Sequence, residues 1–334
     1  MTQNKKVGVG ILGGGFIAEK HAVATMQIEN AELIAICDTN ADKALEFSLE
    51  YDCKAYIDFE QFLADKEIDL VLVCIPSFLH KEYVIKAANA NKHILCEKPF
   101  AIKSEECQEM IESAKKNNVI LAVAQVLRFW PAYEKIYQMI HSGMIGHVKT
   151  LKATRLSQLP TWSQWYRDPA KSGGALYDLQ IHDIDYIHYL AKSSVETMSA
   201  IGVKDDNNAW NEVITNLTME NGMIANIHVT NQLNCEYPFT MSFFARGDKG
   251  AIEFLYTDGI NIGMSEQQKS RFTLFVEGKE PEEIVCSMDD GYKPQLAYMV
   301  DCVLKNQRVE KVPIEQSLEI IKLVENIQAV LENN

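Results

Sequence analysis

Several features that would mark large functional classes are scarce or missing in this chain of 334 residues. Positive charge is scarce: 46 acidic side chains face 32 basic ones, for a formal net charge of −14. A nucleic-acid partner would want a basic stripe, so none is expected. A dinucleotide is not excluded, because backbone N–H groups can hold a pyrophosphate locally. No run of 18 or more apolar residues occurs, so no membrane-spanning helix is expected. No long low-complexity tract occurs either. None of the eight cysteines (Cys37, Cys53, Cys74, Cys96, Cys107, Cys235, Cys286 and Cys302) belongs to a C-x-x-C pair. Several lie in apolar runs such as Val73-Cys74-Ile75, which predicts buried reduced thiols and a cytosolic compartment. Lys5-Lys6 before the apolar run Val7 to Ala18 imitates a signal peptide. That run holds five glycines, no clear small-residue cleavage site follows it, and its removal would delete a strand and a glycine turn.

What is present is ample apolar material, 47 % of residues, in a chain long enough for two domains. Over the first 125 residues strand and helix patterns alternate. Strands are predicted at Val7 to Ile11, Leu33 to Cys37, Lys54 to Tyr56, Leu70 to Ile75, His93 to Cys96 and Ile120 to Ala124. Helices are predicted at Phe16 to Met26, Ala41 to Tyr51, Phe78 to Ala90 and Ser104 to Asn117. Such alternation implies crossovers and a parallel sheet, the doubly wound Rossmann class of α/β fold. Gly8-Val9-Gly10 matches the start of G-x-G-x-x-G but lies inside a strand. Gly13-Gly14-Gly15-Phe16-Ile17-Ala18, of the form G-x-G-x-x-A, sits at the strand-to-helix junction where the chemistry needs it. Gly13 permits the tight turn, Gly15 lets backbone approach a pyrophosphate, and Ala18 packs the helix close to the sheet. Asp38 ends the second strand, where an acid binds ribose hydroxyls or caps the next helix. A 2′-phosphate there would be repelled by roughly a few kcal/mol at an effective dielectric of about 20. Thr39 and Asn40 follow rather than arginine, so NAD is favoured over NADP, with Lys43 as the opposing consideration.

Glu97-Lys98-Pro99 follows the fifth strand, on the side of an open α/β sheet where ligands sit. Pro99 restricts Lys98 to extended backbone, and a lysine held there can lower the pKa of a substrate hydroxyl or can be a plain surface residue. Glu97-Lys98-Pro99, the glycine turn and His21 together resemble the glucose–fructose oxidoreductase / inositol dehydrogenase (Gfo/Idh/MocA) family. Pro76-Ser77-Phe78-Leu79-His80 resembles that family's T-P-N-x-x-H segment, with Ile75 and Ser77 departing from it. The resemblance extends almost to the C-terminus. It implies a catalytic role for Lys98, a bond to Pro99 that is typically cis, and contacts to the cofactor from Gly13, Gly15, Phe16, Ile17, Asp38, Thr39, Ile75, Pro76, His80, Glu97 and Lys98.

A second domain is expected over 126–334, after the first over 1–125. Its helix at Pro131 to His141 is followed by strand patterns at Val148 to Thr154, Glu212 to Met219, Met223 to Thr230, Phe239 to Ala245, Ala251 to Phe254 and Arg271 to Val276. Asn221-Gly222 is a hairpin signal, so an α+β domain with a mostly antiparallel sheet is predicted, one face covered by helices. A helix at Ile314 to Leu331 can pack back on the first domain. In Gly173-Gly174-Ala175-Leu176-Tyr177-Asp178-Leu179-Gln180-Ile181-His182-Asp183-Ile184-Asp185, helical spacing puts Asp178, His182 and Asp185 on one face. That face suits a general base near neutral pH, a capped helix with a satisfied histidine, or a metal, although one helix face rarely supplies three strong ligands.

The segment resembles the family's G-G-x-L-x-D-x-G-x-H-x-x-D motif, with Gln180 in place of a glycine. The match implies that Asp178 and His182 form an acid–base pair joined by Lys98. Arg128, in Gln125-Val126-Leu127-Arg128-Phe129, resembles the family's interdomain arginine, and Trp165 and Arg167 resemble residues that reach the cofactor. Trp162, Trp165 and Tyr166 offer faces for a sugar or simply anchor a loop, and Tyr292 is a further candidate for the substrate pocket. The expectation is an NAD-dependent dehydrogenase of a sugar or polyol, with Lys98, Arg128, Trp165, Asp178, His182 and Tyr292 at the substrate and no bound metal. A homodimer or homotetramer through the second-domain sheet is expected. Relatives that sense dinucleotides as regulators, or that act on dihydrodiols or glycosides, are the alternatives.

Overall fold

The computed structural model describes residues 6–159, 164–233, 237–259, 268–287 and 289–333. They fall into two compact units. One runs up to Phe129 and includes Gly291–Ile321; the other is Trp130–Asp290 with the residues from Lys322 onward.

In the first unit the strands are β1 (Val7–Leu12), β2 (Ala31–Cys37), β3 (Lys54–Tyr56), β4 (Leu70–Val73), β5 (His93–Cys96) and β6 (Leu121–Val123). Their order in the sheet is β3-β2-β1-β4-β5-β6, and every neighbouring pair is parallel. The predicted doubly wound sheet is therefore present, with the order reversing between β1 and β4. β1 and β4 are buried along their whole length, as a parallel sheet covered on both faces requires. The helices are α1 (Phe16–Met26), α2 (Ala41–Tyr51), α3 (Phe59–Ala64), α4 (His80–Asn89) and α5 (Ser104–Lys116). α3 has no counterpart in the sequence reading. It is six residues long, too short for its periodicity to show, and is started by the Asp58 carboxylate accepting the Gln61 N–H.

The stretch 291–321, counted with the second domain in the sequence reading, adds α9 (Tyr292–Lys305) to this unit. Leu296, Met299, Val300 and Cys302 on α9 are buried in one core with Val9, Ile11, Ala18 and Ala22. The helix α10 (Ile314–Glu332) begins in the first unit and ends in the second.

The second unit opens with α6 (Pro131–His141), where Pro131 stands at the first helical position. Its sheet is built from β7 (Val148–Leu156), β8 (Val195–Lys204), β9 (Trp210–Met219), β10 (Ile224–Thr230), β11 (Thr240–Gly247), β12 (Gly250–Thr257), β13 (Lys269–Val276) and β14 (Glu282–Glu283). The order is β14-β13-β12-β11-β7-β10-β9-β8, antiparallel throughout except for the parallel β7–β10 pair. Tyr133 of α6 lies edge-on to Tyr186, Phe243 and Phe254 at 4.7, 6.0 and 5.6 Å, which seats the helix on the sheet. The short α7 (Pro169–Ser172) and the longer α8 (Ile181–Ala191) complete the unit.

One buried ion pair fastens α8 to the sheet. β7 alternates, and Leu151, Ala153 and Arg155 all point to its buried face. Arg155 donates through Nε and Nη2 to both carboxylate oxygens of Asp183, at 3.1 and 3.0 Å. Both side chains are about 98 % removed from solvent. Such a pair contributes little over an apolar pair of the same shape, but breaking it leaves an uncompensated charge. Arg155→Met alone is expected to cost about 3–5 kcal/mol in a urea titration, and Arg155→Met with Asp183→Leu to recover most of it. A single variant as stable as the parent would contradict this.

Candidate active site

The turn after β1 is set by sterics. Gly13 has φ +96°, and a Cβ there would stand 2.5 Å from the carbonyl oxygen of Cys74. Only glycine fits. The Gly13 N–H donates to Cys37 O and the Cys74 N–H to Leu12 O, both at 2.8 Å, so the turn lies between the ends of β2 and β4, at the reversal of strand order. Gly15 is the N-cap of α1 and supplies no side-chain cap. A Cβ on it would meet nothing within 4 Å, so the space above the first turn of α1 is open. The residues beside that space, Phe16 and Ile17, are half-buried. Uncapped N–H groups with open space above them suit an anion.

Asp38 closes the other side of the turn. Its Oδ2 accepts the Gly14 N–H and its Oδ1 accepts the Asn40 N–H, both at 2.8 Å. The cap of α2 is Asn40, whose side chain accepts from the Asp42 and Lys43 N–H groups. Asp38 is thereby released from the capping role that the sequence left open. Each of its oxygens keeps a further lone pair for a hydroxyl donor. Thr39 and Lys43 beside it are exposed. This set of donors and acceptors fits a dinucleotide, pyrophosphate over Gly15 and ribose at Asp38.

The Glu-Lys-Pro corner leaves the end of β5. The Lys98–Pro99 bond is cis. Glu97 is buried; its Oε1 pairs with His21 Nε2 at 2.8 Å and its Oε2 accepts the Lys98 N–H at 3.2 Å. His21 lies on α1, so the acid ties the glycine-turn helix to the corner. Lys98 is half-buried. The His80 ring lies between the two strand exits, Nε2 at 2.9 Å from Ile75 O and Nδ1 at 3.0 Å from Pro99 O. Burial is the larger influence and lowers its pKa, against the pull of the carbonyls. Both of its ring nitrogens face main chain, so His80 shapes the loops rather than presenting a ring nitrogen to a ligand. Ile75 and Pro76 beside it are half-buried. Arg128 is buried and donates to Lys311 O and Gln316 Oε1, both at 2.9 Å. Tyr292 lies edge-on to His21 at 5.4 Å. The structure thus brings Gly13, Gly15, Asp38, Ile75, Glu97 and Lys98 to the carboxyl ends of one sheet.

In the second unit Gly174, at φ +68°, turns the chain where a Cβ would stand 2.9 Å from Trp210 O. The Ala175 N–H donates to the buried Asn211 Oδ1 at 3.0 Å. Leu176–Gln180 is then wound as a π-helix before α8 continues in α form. Asp178 and His182 are half-buried there. Asp185, grouped with Asp178 and His182 by regular helical spacing, is 1 % exposed, while Asp178 and His182 are half-buried. Among the described residues no three His, Cys, Asp or Glu side chains are grouped to hold a metal. Trp165 stacks on Tyr166 at 4.1 Å, and Arg167 is exposed. Trp162 lies outside the described residues. The sequence reading missed two buried polar anchors around His182, Arg155–Asp183 and Gln180–Thr215. The signal for the first was a charged residue at a buried strand position, which demands a partner.

Residues 7–125 match the model of an oxidoreductase family with an NAD-binding Rossmann fold, and residues 133–253 match the GFO/IDH/MocA C-terminal domain. The chain is 31 % identical over 255 residues to an uncharacterized oxidoreductase, YrbE, of Bacillus subtilis, covering 74 % of this chain and 73 % of that one. It is 34 % identical over 195 residues to the myo-inositol 2-dehydrogenase of Thermotoga maritima, 58 % of each chain. Its fold is similar to that of an aldose–aldose oxidoreductase from Caulobacter crescentus, with TM-score 0.86, 22 % identity and 98 % of each chain covered.

The buried His80 gives a pH signature. Its folded pKa lies below the ordinary 6.5, so the unfolded chain takes up a proton that the folded chain refuses. The stability it contributes is complete above about pH 6.5 and is lost as the pH falls below it. The drop in urea midpoint between about pH 7.5 and pH 5.5 is expected to be smaller in His80→Gln than in the parent; an equal drop would refute this. Gly13→Ala, strained and clashing, is expected to weaken NADH binding at least tenfold by fluorescence titration, and an unchanged affinity would place the cofactor elsewhere.

Proposed function

The chain belongs to the GFO/IDH/MocA family of NAD(P)-dependent oxidoreductases, and we propose that it is an NAD-dependent dehydrogenase acting on a secondary hydroxyl of a cyclic polyol or sugar. One observation carries the assignment of its chemistry. Lys98, Asp178 and His182 are partly accessible, whereas their neighbours Glu97, Pro99, Ile181 and Asp183 are buried. A group that exchanges a proton with a substrate must be within reach of it, and these three side chains keep that access.

Gly13, Gly15, Phe16 and Ile17 would hold the pyrophosphate, and Asp38 with Thr39 the adenosine ribose. Ile75, Pro76 and Glu97 line the approach to the nicotinamide, and His80 holds the loop that carries Ile75. Arg128, Trp165 and Arg167 are assigned to the cofactor by the family resemblance, and Arg128, Trp165 and Tyr292 also to the substrate. When bound, the nicotinamide supplies the hydride acceptor. His182 takes the hydroxyl proton as the carbinol hydrogen leaves. The Lys98 ammonium stabilises the alkoxide developing on the substrate oxygen. Asp178, one turn before His182, orients the imidazole. Ketone reduction uses the same groups with their protons reversed. The similarity to a myo-inositol 2-dehydrogenase supports a cyclic polyol as substrate.

No helix among the described residues is long and apolar enough to cross a membrane. The described cysteines are free thiols, which supports a cytoplasmic location. Ile201 and Val203 on β8, 64 % and 62 % exposed, support assembly of two or four copies through this sheet. In the dehydrogenase assay, myo-inositol is the first substrate to try, followed by hexoses and nucleotide sugars. Lys98→Met and His182→Asn are each expected to lower kcat by about 10²–10⁴-fold while leaving NADH affinity within about twofold. NADH binding without turnover on any of these substrates would favour a dinucleotide-sensing regulator. Full turnover in either variant would refute the assignment of that residue.

A further inference from the structure

Gln180 stands between Asp178 and His182, at the last residue of the π-wound turn, where the resembling family motif has glycine. A glycine there reaches nothing. The glutamine side chain is completely buried and reaches down onto the sheet. Its Nε2 donates to Val213 O on β9 and to Ile227 O on β10, each at 3.3 Å. Its Oε1 accepts the Thr215 hydroxyl at 3.0 Å. Both amide hydrogens are used and the oxygen has its donor. A flipped amide would set its oxygen against two carbonyls, so a single orientation is selected. Thr215, Val213 and Ile227 are themselves wholly buried, so these bonds have no competing water.

The residue after His182 is fastened as well. Asp183 receives the two-pronged Arg155 from β7. His182 is thus bracketed by two buried polar anchors, one two residues before it and one directly after. The anchors hold to three different strands, β7, β9 and β10. A π turn inside a helix is poorly determined by its own hydrogen bonds, and it persists where surroundings over-determine it.

We propose that Gln180 is a positioning residue for His182: its buried amide locks the wide turn 176–180 on the sheet and so fixes the direction of the imidazole. The inference rests on the reading of His182 as the proton acceptor, but its first readout does not need that reading. With ring-labelled histidine, the His182 signal is identified in the carbon–proton spectrum by its loss in His182→Asn. Gln180→Met keeps the length of the side chain and removes every hydrogen bond. It is expected to displace and broaden the His182 signal, to leave the His21 and His80 signals in place, and to keep NADH affinity within about twofold. Its kcat with the polyol accepted by the parent enzyme, myo-inositol being the first tested, is expected to fall about tenfold with little change in KM, as for a misplaced catalytic group. Thr215→Val is expected to move the His182 signal in the same direction and Thr215→Ser to restore it. This threonine pair decides the matter should Gln180→Met fail to fold. An unmoved His182 signal in a folded Gln180→Met, or in Thr215→Val, overturns the inference. Wild-type turnover in His182→Asn overturns the function assigned to His182 instead, and leaves the positioning by Gln180 to be judged on the spectra.

Discussion

Between β1 and α1 the main chain passes so close to the Cys74 carbonyl that no side chain fits at Gly13. Much follows from that contact. It presses the turn into the point where the strand order reverses, between β1 and β4. It lets the Gly14 N–H meet the Asp38 carboxylate at 2.8 Å, which fixes the acid at the end of β2. It starts α1 at a residue with no side-chain cap, so the first N–H groups of the helix are left for a ligand. One steric constraint thereby sets the uncapped end of a helix and the carboxylate proposed to take the ribose hydroxyls on either side of a three-residue turn.

The same unit extends this order to the corner at Lys98 through buried polar groups. His21 on α1 pairs with Glu97, and Glu97 accepts the Lys98 N–H. The His80 ring lies between the two strand exits, one ring nitrogen facing Ile75 O and the other Pro99 O. Each of these residues is buried, so their bonds form in a low-dielectric setting where a lost partner is costly. The second unit applies the same principle. Arg155–Asp183 and Gln180–Thr215 carry no chemistry of their own, yet they fasten the turn and helix that present Asp178 and His182.

Much of this was legible in the sequence. Apolar patterns located five of the six parallel strands, as buried strands of such a sheet allow, and the short, mostly exposed β3 was added to complete the count. The glycine pattern at a strand-to-helix junction and the acid after the second strand marked the side now proposed for the cofactor. The Glu-Lys-Pro and Gly-Gly motifs marked Lys98, Asp178 and His182 through family resemblance. What was not legible depends on through-space partners. α9 joins the first unit because its apolar face meets β1 and α1, about 280 residues earlier in the chain. The π turn at Leu176–Gln180 leaves no trace in hydrophobic spacing, and neither does the burial of Asp185, which helical spacing grouped with Asp178 and His182. The role of Gln180 was invisible for the same reason: a departure from a motif shows where geometry changes, and only the sheet beneath it shows how.

The proposed cofactor preference depends most on Asp38, a carboxylate held by two main-chain N–H groups at the place a ribose would occupy. Calorimetric titration of the unliganded protein with NADH and with NADPH, at one fixed ionic strength, tests it directly. NADH is expected to bind at least about tenfold more tightly, a difference of about 1.4 kcal/mol, because the 2′-phosphate meets the charge on Asp38. NADPH binding as tightly as NADH, or more tightly, would contradict it.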